Sequence, residues 1–149
     1  MATSDRVVFD AEPLVAHADD EPGSDVVETY LDAVAIEDTT GYTTSVNLTE
    51  IRYTIARKYD RSTADEYLDW LSDLGIETVT VGDAWLTASE YILRYNPALG
   101  DSFALATAEH LEATLLVGRD DDYDDIPDVP IERFREGTLC SPRSFGSSP

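Results

Sequence analysis

Short apolar runs alternate with amphipathic stretches along this chain, and several of the runs stop at an acid. Val7-Val8-Phe9 is a β-rich run that ends at Asp10, and Pro13-Leu14-Val15-Ala16 opens a short helix behind it. Residues 19–23 read as a turn. Ser24 then caps a helix that places Val26, Val27, Tyr30, Leu31 and Val34 on one face and ends near Glu37. Tyr42-Thr43-Thr44 is a second strand, followed by a helix that Asn47 is placed to cap and that carries Glu50, Ile51 and Ile55. The next helix shows a capping box at Thr63 and Glu66, an apolar stripe of Tyr67, Leu68, Leu71 and Leu74, and Gly75 as its stop.

Residues 76–81 alternate in β fashion, and Asp83 opens a helix containing Trp85, Ile92 and Leu93 that Asn96-Pro97 breaks. Asp101, behind Gly100, starts a helix through Phe103, Leu105, Ala108 and Leu111. Thr114-Leu115-Leu116-Val117 is a buried strand that runs into Asp120-Asp121-Asp122, and residues 131–134 make a last, short edge strand. Strands alternating with helices predict an α/β fold of three layers, a central, mostly parallel sheet flanked by helices, whose ligands gather at the carboxyl ends of the strands. Asp10 and Asp120 fall at that edge. The folded domain is expected over residues 1–134, and residues 135–149, rich in Ser, Pro and Gly, as a mobile tail.

Composition changes the picture in one respect. With 149 residues and 42% apolar content the chain fills one core, but 31 acids against 10 bases give a net charge of −21, and Lys58 is the only lysine. Acid blocks often mark disorder; here they alternate with well-patterned apolar segments, which points instead to a halophilic cytoplasm. At 1 M salt the Debye length is about 3 Å, so repulsion among surface carboxylates is screened. The charge argues against a nucleic-acid groove of the usual basic kind, and a phosphate substrate then needs metal and short-range contacts. No apolar run approaches the ~20 residues of a membrane span, and residues 1–6 lack a signal-peptide core. Cys140 stands alone, which rules out an intramolecular disulfide and a Cys/His zinc site.

The candidate chemistry lies in Asp10, Glu50, Asp101 and the run Asp120-Asp121-Asp122. Each has an ordinary structural reading: Asp10 and Asp101 precede helices as caps would, Glu50 is placed to close a box with Asn47, and an acid run is usually a solvated loop. Together, at strand ends and helix starts, they form a hard-cation site, because Mg²⁺ prefers oxygen ligands. An EF-hand is excluded: Asp125 stands where its glycine is needed and Ile131 where its glutamate is needed. A phosphoaspartyl receiver needs a late lysine, and Lys58 comes too early. Serine hydrolysis lacks a G-x-S-x-G, and His17 and His110 have no evident nucleophile. His110, nine helical positions beyond Asp101, is out of phase with it and is expected to face away.

Val7-Val8-Phe9-Asp10, Asn47-Leu48-Thr49-Glu50-Ile51, Gly100-Asp101-Ser102-Phe103-Ala104-Leu105-Ala106 and Leu115-Leu116-Val117-Gly118-Arg119-Asp120-Asp121-Asp122-Tyr123 together resemble a PIN domain. In size the chain is similar to the VapC toxins of toxin–antitoxin pairs. The resemblance implies a PIN-like fold with Asp10, Glu50, Asp101 and Asp120 as catalytic acids. It also implies Asp122 as a further metal ligand and Tyr123 as the aromatic residue of the D-x-D-[FY] motif. Gly118 departs from the Thr or Ser often found before that motif, and Ser45 is a weaker candidate for a polar contact in the pocket.

Crowded acids repel and hold protons unless a divalent ion keeps them ionised, and such an ion lowers the pKa of bound water for attack on phosphorus. The resemblance implies Mg²⁺ or Mn²⁺, an RNA substrate, a VapB-like antitoxin and a homodimer. Two alternatives stand beside a VapC-like endoribonuclease: a stand-alone nuclease for RNA maturation or DNA, and a binding module whose acids hold a structural ion.

Overall fold

The computed structural model describes residues 5–80 and 82–135. Apart from Arg135, the tail expected over residues 135–149 lies outside them. Five strands, β1 (Arg6–Phe9), β2 (Thr40–Thr44), β3 (Glu77–Val79), β4 (Thr114–Val117) and β5 (Ile131–Arg133), form one sheet in the order β3-β2-β1-β4-β5. Every pairing is parallel, with Val8 opposite Tyr42 on one side and opposite Leu115 on the other. The chain builds outward from β1 to β3, then returns to the other side of β1 with β4 and β5. That reversal leaves a switch point between β1 and β4, where the segments leaving their carboxyl ends diverge and open a crevice.

Alternation along the strands divides the core in two. Val7, Phe9 and Leu116 pack against four helices, α1 (Ala11–Ala18), α2 (Ser24–Ala35), α3 (Ser45–Lys58) and α4 (Arg61–Leu74). Val8, Leu115 and Val117 face the opposite layer, α5 (Ala84–Tyr95) and α6 (Leu99–Leu111), where Tyr91, Ala104, Leu105 and Ala108 meet them. Strands buried on both faces read as unbroken apolar runs, which is why Val7-Val8-Phe9 and Leu115-Leu116-Val117 stand out. No helix among the described residues is long and apolar enough to cross a membrane.

Several helix starts differ from the sequence expectation. Thr44, extended at φ −94° and ψ 158°, caps α3 by accepting from the Asn47 N–H at 2.9 Å and donates to Asn47 Oδ1 at 2.6 Å, so Asn47 lies inside the helix with its NH2 group left for another partner. Asp60 caps α4, accepting from the Thr63 N–H at 2.7 Å; Thr63 is therefore a first-turn residue and no box forms with Glu66. Helix α6 begins at Leu99, two residues before Asp101. On α5 the inner face is Ala88 and Tyr91, while Trp85, Leu86 and Leu93 are exposed.

Candidate functional site

Asp10 leaves β1 at the switch point and occupies the N-cap position of α1, yet its carboxylate makes no capping bond. Asn47 Nδ2 donates to its Oδ1 at 3.2 Å, and the Tyr123 hydroxyl donates to its Oδ2 at 2.8 Å. Asp101, in the first turn of α6, is buried, and its Oδ2 has no hydrogen-bond partner among the described residues. Capping therefore accounts for neither acid: Asp10 makes no N-cap bond beyond the adjoining Ala11 N–H, and Asp101 lies inside α6, which starts at Leu99.

Asp120 and Asp122 leave β4 on a single 3₁₀ turn, Asp121–Tyr123, and the sequence run becomes a local lock. Asp120 Oδ1 accepts from the Asp122 N–H at 3.0 Å, and Asp122 Oδ2 accepts from the Ala98 N–H at 3.0 Å. Asp122 thus caps α6 from across the loop, at the end of the helix whose dipole favours a negative charge. One carboxylate oxygen each from Asp101, Asp120 and Asp122 lie within 4.8 Å of one another. Glu50 comes in from α3 beside them; a side chain in place of Gly100 would put its Cβ 3.0 Å from Glu50 Oε1.

Electrostatics follow from the crowding. Burial pushes Asp101 up to about 9, helped by the charges of Asp10 and Asp120. Burial also raises Asp10, to about 6, opposed by the bonds from Tyr123 and the Ala11 backbone and reinforced by the charge of Glu50. Glu50 is raised by its partial burial and by Glu12. Tyr123 is held well above its ordinary value, first by burial and then by the two aspartates, so its phenol stays protonated as a donor. Without a cation, burial favours the protonated form of Asp101 at neutral pH and raises Asp10 towards it. A buried acid oxygen with no donor, in an all-oxygen ligand set, fits a hard divalent ion that takes the proton's place.

The four catalytic candidates and Asp122 are therefore brought to one place, while Ser45 is not part of the contact. Ser45 starts α3 with its carbonyl accepting from Thr49, and the pocket's polar contact comes from Asn47, two residues on. His17 lies away from the acids, between Tyr67 at 2.9 Å and Glu28 at 2.7 Å, and His110 lines a separate cleft with Asp83 and Thr107.

Two arginines behind the acids carry no sequence signal, Arg133 at the end of the short edge strand β5 and Arg135 at the start of the segment expected as a tail. Arg133 on β5 donates to the carbonyls of Gly118 and Asp120 at 2.7 and 3.0 Å and to Asp124 Oδ1 at 2.6 Å, gripping the loop that carries Asp120. Arg135 holds Glu12 and Glu21 at 3.0 and 3.2 Å. That grip explains Gly118: a Cβ there would fall 2.0 Å from Cδ of Glu12, so the Glu12 carboxyl fills the space a side chain would take. Gly118→Ser should therefore cost about 1–3 kcal/mol by overpacking. The added variant Glu12→Ala should relieve most of it. Thermal melts of the single and double variants check this, and equal melts for Gly118→Ser and wild type would contradict it.

No curated protein matches the chain in sequence. Three similar solved structures cover most of it. VapBC2 from Rickettsia felis bound to a promoter DNA fragment has 16% identity and a TM-score of 0.71, over 86% of this chain and 98% of that one. A toxin–antitoxin complex from Klebsiella pneumoniae has 19% identity and a TM-score of 0.66, over 87% and 98%. DNA-bound VapBC from Salmonella typhimurium has 13% identity and a TM-score of 0.64, over 87% and 98%. At such identities the likeness is one of fold. The PIN domain family, in contrast, matches the sequence itself over residues 7–129, the span that carries every acid of the cluster. The chain belongs to the PIN domain family.

Proposed function

We propose that this chain is a VapC-like endoribonuclease acting in the cytoplasm on RNA with Mg²⁺ or Mn²⁺, and that a VapB-like antitoxin restrains it. One observation carries the reading: the buried Asp101 Oδ2, without a hydrogen-bond partner among the described residues, in an acid cluster with Asp120 and Asp122 on a PIN fold. A divalent ion held by Asp101, Asp120 and Asp122, with Asp10 and Glu50 beside it, would supply Lewis-acid activation of water and neutralise charge on a phosphodiester. The protein's own part is positioning. Asn47 and Tyr123 fix both oxygens of Asp10, the Asp122 link to Ala98 fixes the acid loop, and Glu50, half-buried beside the cluster, would accept a proton from water. The exposed Trp85, Leu86 and Leu93 of α5 supply an apolar surface for the second copy of a homodimer. Partner-free protein should cleave labelled single-stranded RNA in Mg²⁺ and stop in EDTA. Undiminished cleavage in EDTA, or none with Mg²⁺ or Mn²⁺, would refute the reading.

An acidic pocket needs an inhibitor of opposite charge. An arginine or lysine from the antitoxin, entering among Asp10, Glu50, Asp101 and Asp120, would make charge-assisted hydrogen bonds and compete with metal. Binding free energies are reciprocal, so Mn²⁺ should weaken the partner's affinity by the factor with which the partner weakens Mn²⁺ binding. Calorimetric titrations that show no metal dependence would remove this plug.

A further inference from the structure

Positive charge is distributed very unevenly in this chain. Residues 50–62 carry four bases, Arg52, Arg57, Lys58 and Arg61, against two acids, Glu50 and Asp60; the other residues hold six bases and 29 acids. Three of them, Arg52, Arg57 and Arg61, line an open cleft of about 760 Å³ where α3 turns into α4, together with Tyr53, Tyr59 and Asp60. Two of the four bases are already neutralised. Arg52 is paired with Asp65 at 2.7 Å and Lys58 with Asp19. Arg57 and Arg61 have no carboxylate partner among the described residues, and Arg57 lies over the Tyr53 ring, 4.8 Å from its centroid. Tyr53 and Tyr59 are 46% and 56% exposed, a large aromatic surface for a helix-to-helix turn.

The helix connects this patch to the acid cluster. Glu50, Tyr53 and Arg57 stand at i, i+3 and i+7 on α3, along one stripe, and seven residues of helix span about 10 Å. We propose that Tyr53, Arg57, Tyr59 and Arg61 form the track on which a single-stranded RNA lies as it enters the acid cluster, the arginines meeting phosphates and the tyrosines stacking on bases. This rests on the proposed nuclease function and gives its substrate a direction of approach. Charge complementarity selects the occupant. A polyanion is repelled by most of a surface carrying −21, and this cleft joins uncommitted guanidinium groups to exposed rings. Stacking also tolerates high salt, in which phosphate contacts alone weaken.

The test is fluorescence anisotropy of the full chain with a labelled ribo-oligonucleotide of about 12 nucleotides, run beside hydrolysis of bis(p-nitrophenyl) phosphate, a diester too small to reach the track. Arg57→Gln with Arg61→Gln should weaken oligonucleotide binding at least about tenfold and reduce the slope of log affinity against log salt by about 0.7 for each lost phosphate contact. Tyr53→Ala should weaken binding with the slope unchanged. Arg94→Gln, on the opposite layer, should do neither, and all variants should hydrolyse the small diester like wild type. Wild-type affinity in the double variant would overturn the track while leaving the nuclease reading intact, and so would equal loss on both substrates. Arginine-dependent binding without any hydrolysis would support the track and defeat the nuclease reading. Displacement of the oligonucleotide by polyglutamate at equal charge would also overturn the track, assigning the patch to an acidic polypeptide.

Discussion

Asp101→Asn is expected to reduce RNA cleavage by on the order of 100-fold or more while making the metal-free protein more stable, and Asp10→Asn to do the same to a smaller degree in stability. Loss of activity is expected from removing a proposed metal ligand; gain of stability follows from the raised pKa values. A carboxyl whose folded value lies above its unfolded value binds extra protons in the folded state. Stability is therefore highest below the ordinary value of 3.8 and falls as pH rises through about 6 for Asp10 and about 9 for Asp101. Asparagine carries no charge to bury, and its amide can donate to Asp10. Near pH 8 in EDTA the Asp101→Asn melt should exceed wild type by about 4–8 °C, the equivalent of about 2 kcal/mol. At acid pH the two melts should converge. Wild-type activity in the variant at matched folding, or a wild-type melt that does not change with pH, would contradict this.

The second large effect is salt. With −21 net charge, and with Arg57 and Arg61 lacking carboxylate partners among the described residues, the ion pairs described neutralise only a fraction of the acids. Exposed pairs such as Arg52–Asp65 add little, because solvent screens them. Lowering KCl from 1 M to 0.01 M lengthens the Debye distance from about 3 Å to about 30 Å, so repulsion between acids that were screened from one another becomes collective. Cooperative folding should be lost across that range. Mg²⁺ should restore part of it by binding the folded state, by about 2.7 kcal/mol when present at about 100 times its dissociation constant. Asp101→Asn should lose that specific restoration but retain the response to KCl. Circular dichroism melts across the range decide the matter, and melts unchanged by KCl would contradict the halophilic reading.

The fold was legible because its strands are short and buried on both faces, so that apolar runs and helix stripes left few arrangements open. Acid positions were legible too, since four carboxylates at element junctions are unexpected one by one and coherent together. What the sequence hides is the use of each cap. Thr44 and Asn47 are both good capping residues, and only the backbone geometry shows that Thr44 caps α3 while Asn47 holds Asp10. Arg133 and Arg135 were invisible for another reason: they act through backbone carbonyls and a glutamate 123 positions away, contacts that exist only once β5 lies beside β4. Gly118 looked like a missing hydroxyl, and the structure accounts for it by the carboxyl of Glu12 lying in that space.

A divalent ion is expected to displace the proton that burial holds at Asp101 and Asp10. Calorimetric titration of Mn²⁺ into the metal-free protein near pH 7, repeated in buffers of different ionisation enthalpy, measures this directly because it counts the protons released. Wild type should bind Mn²⁺ with net proton release, and Asp101→Asn should bind far more weakly and release fewer protons. Equal Mn²⁺ affinity in the two proteins, or binding without proton release, would contradict it.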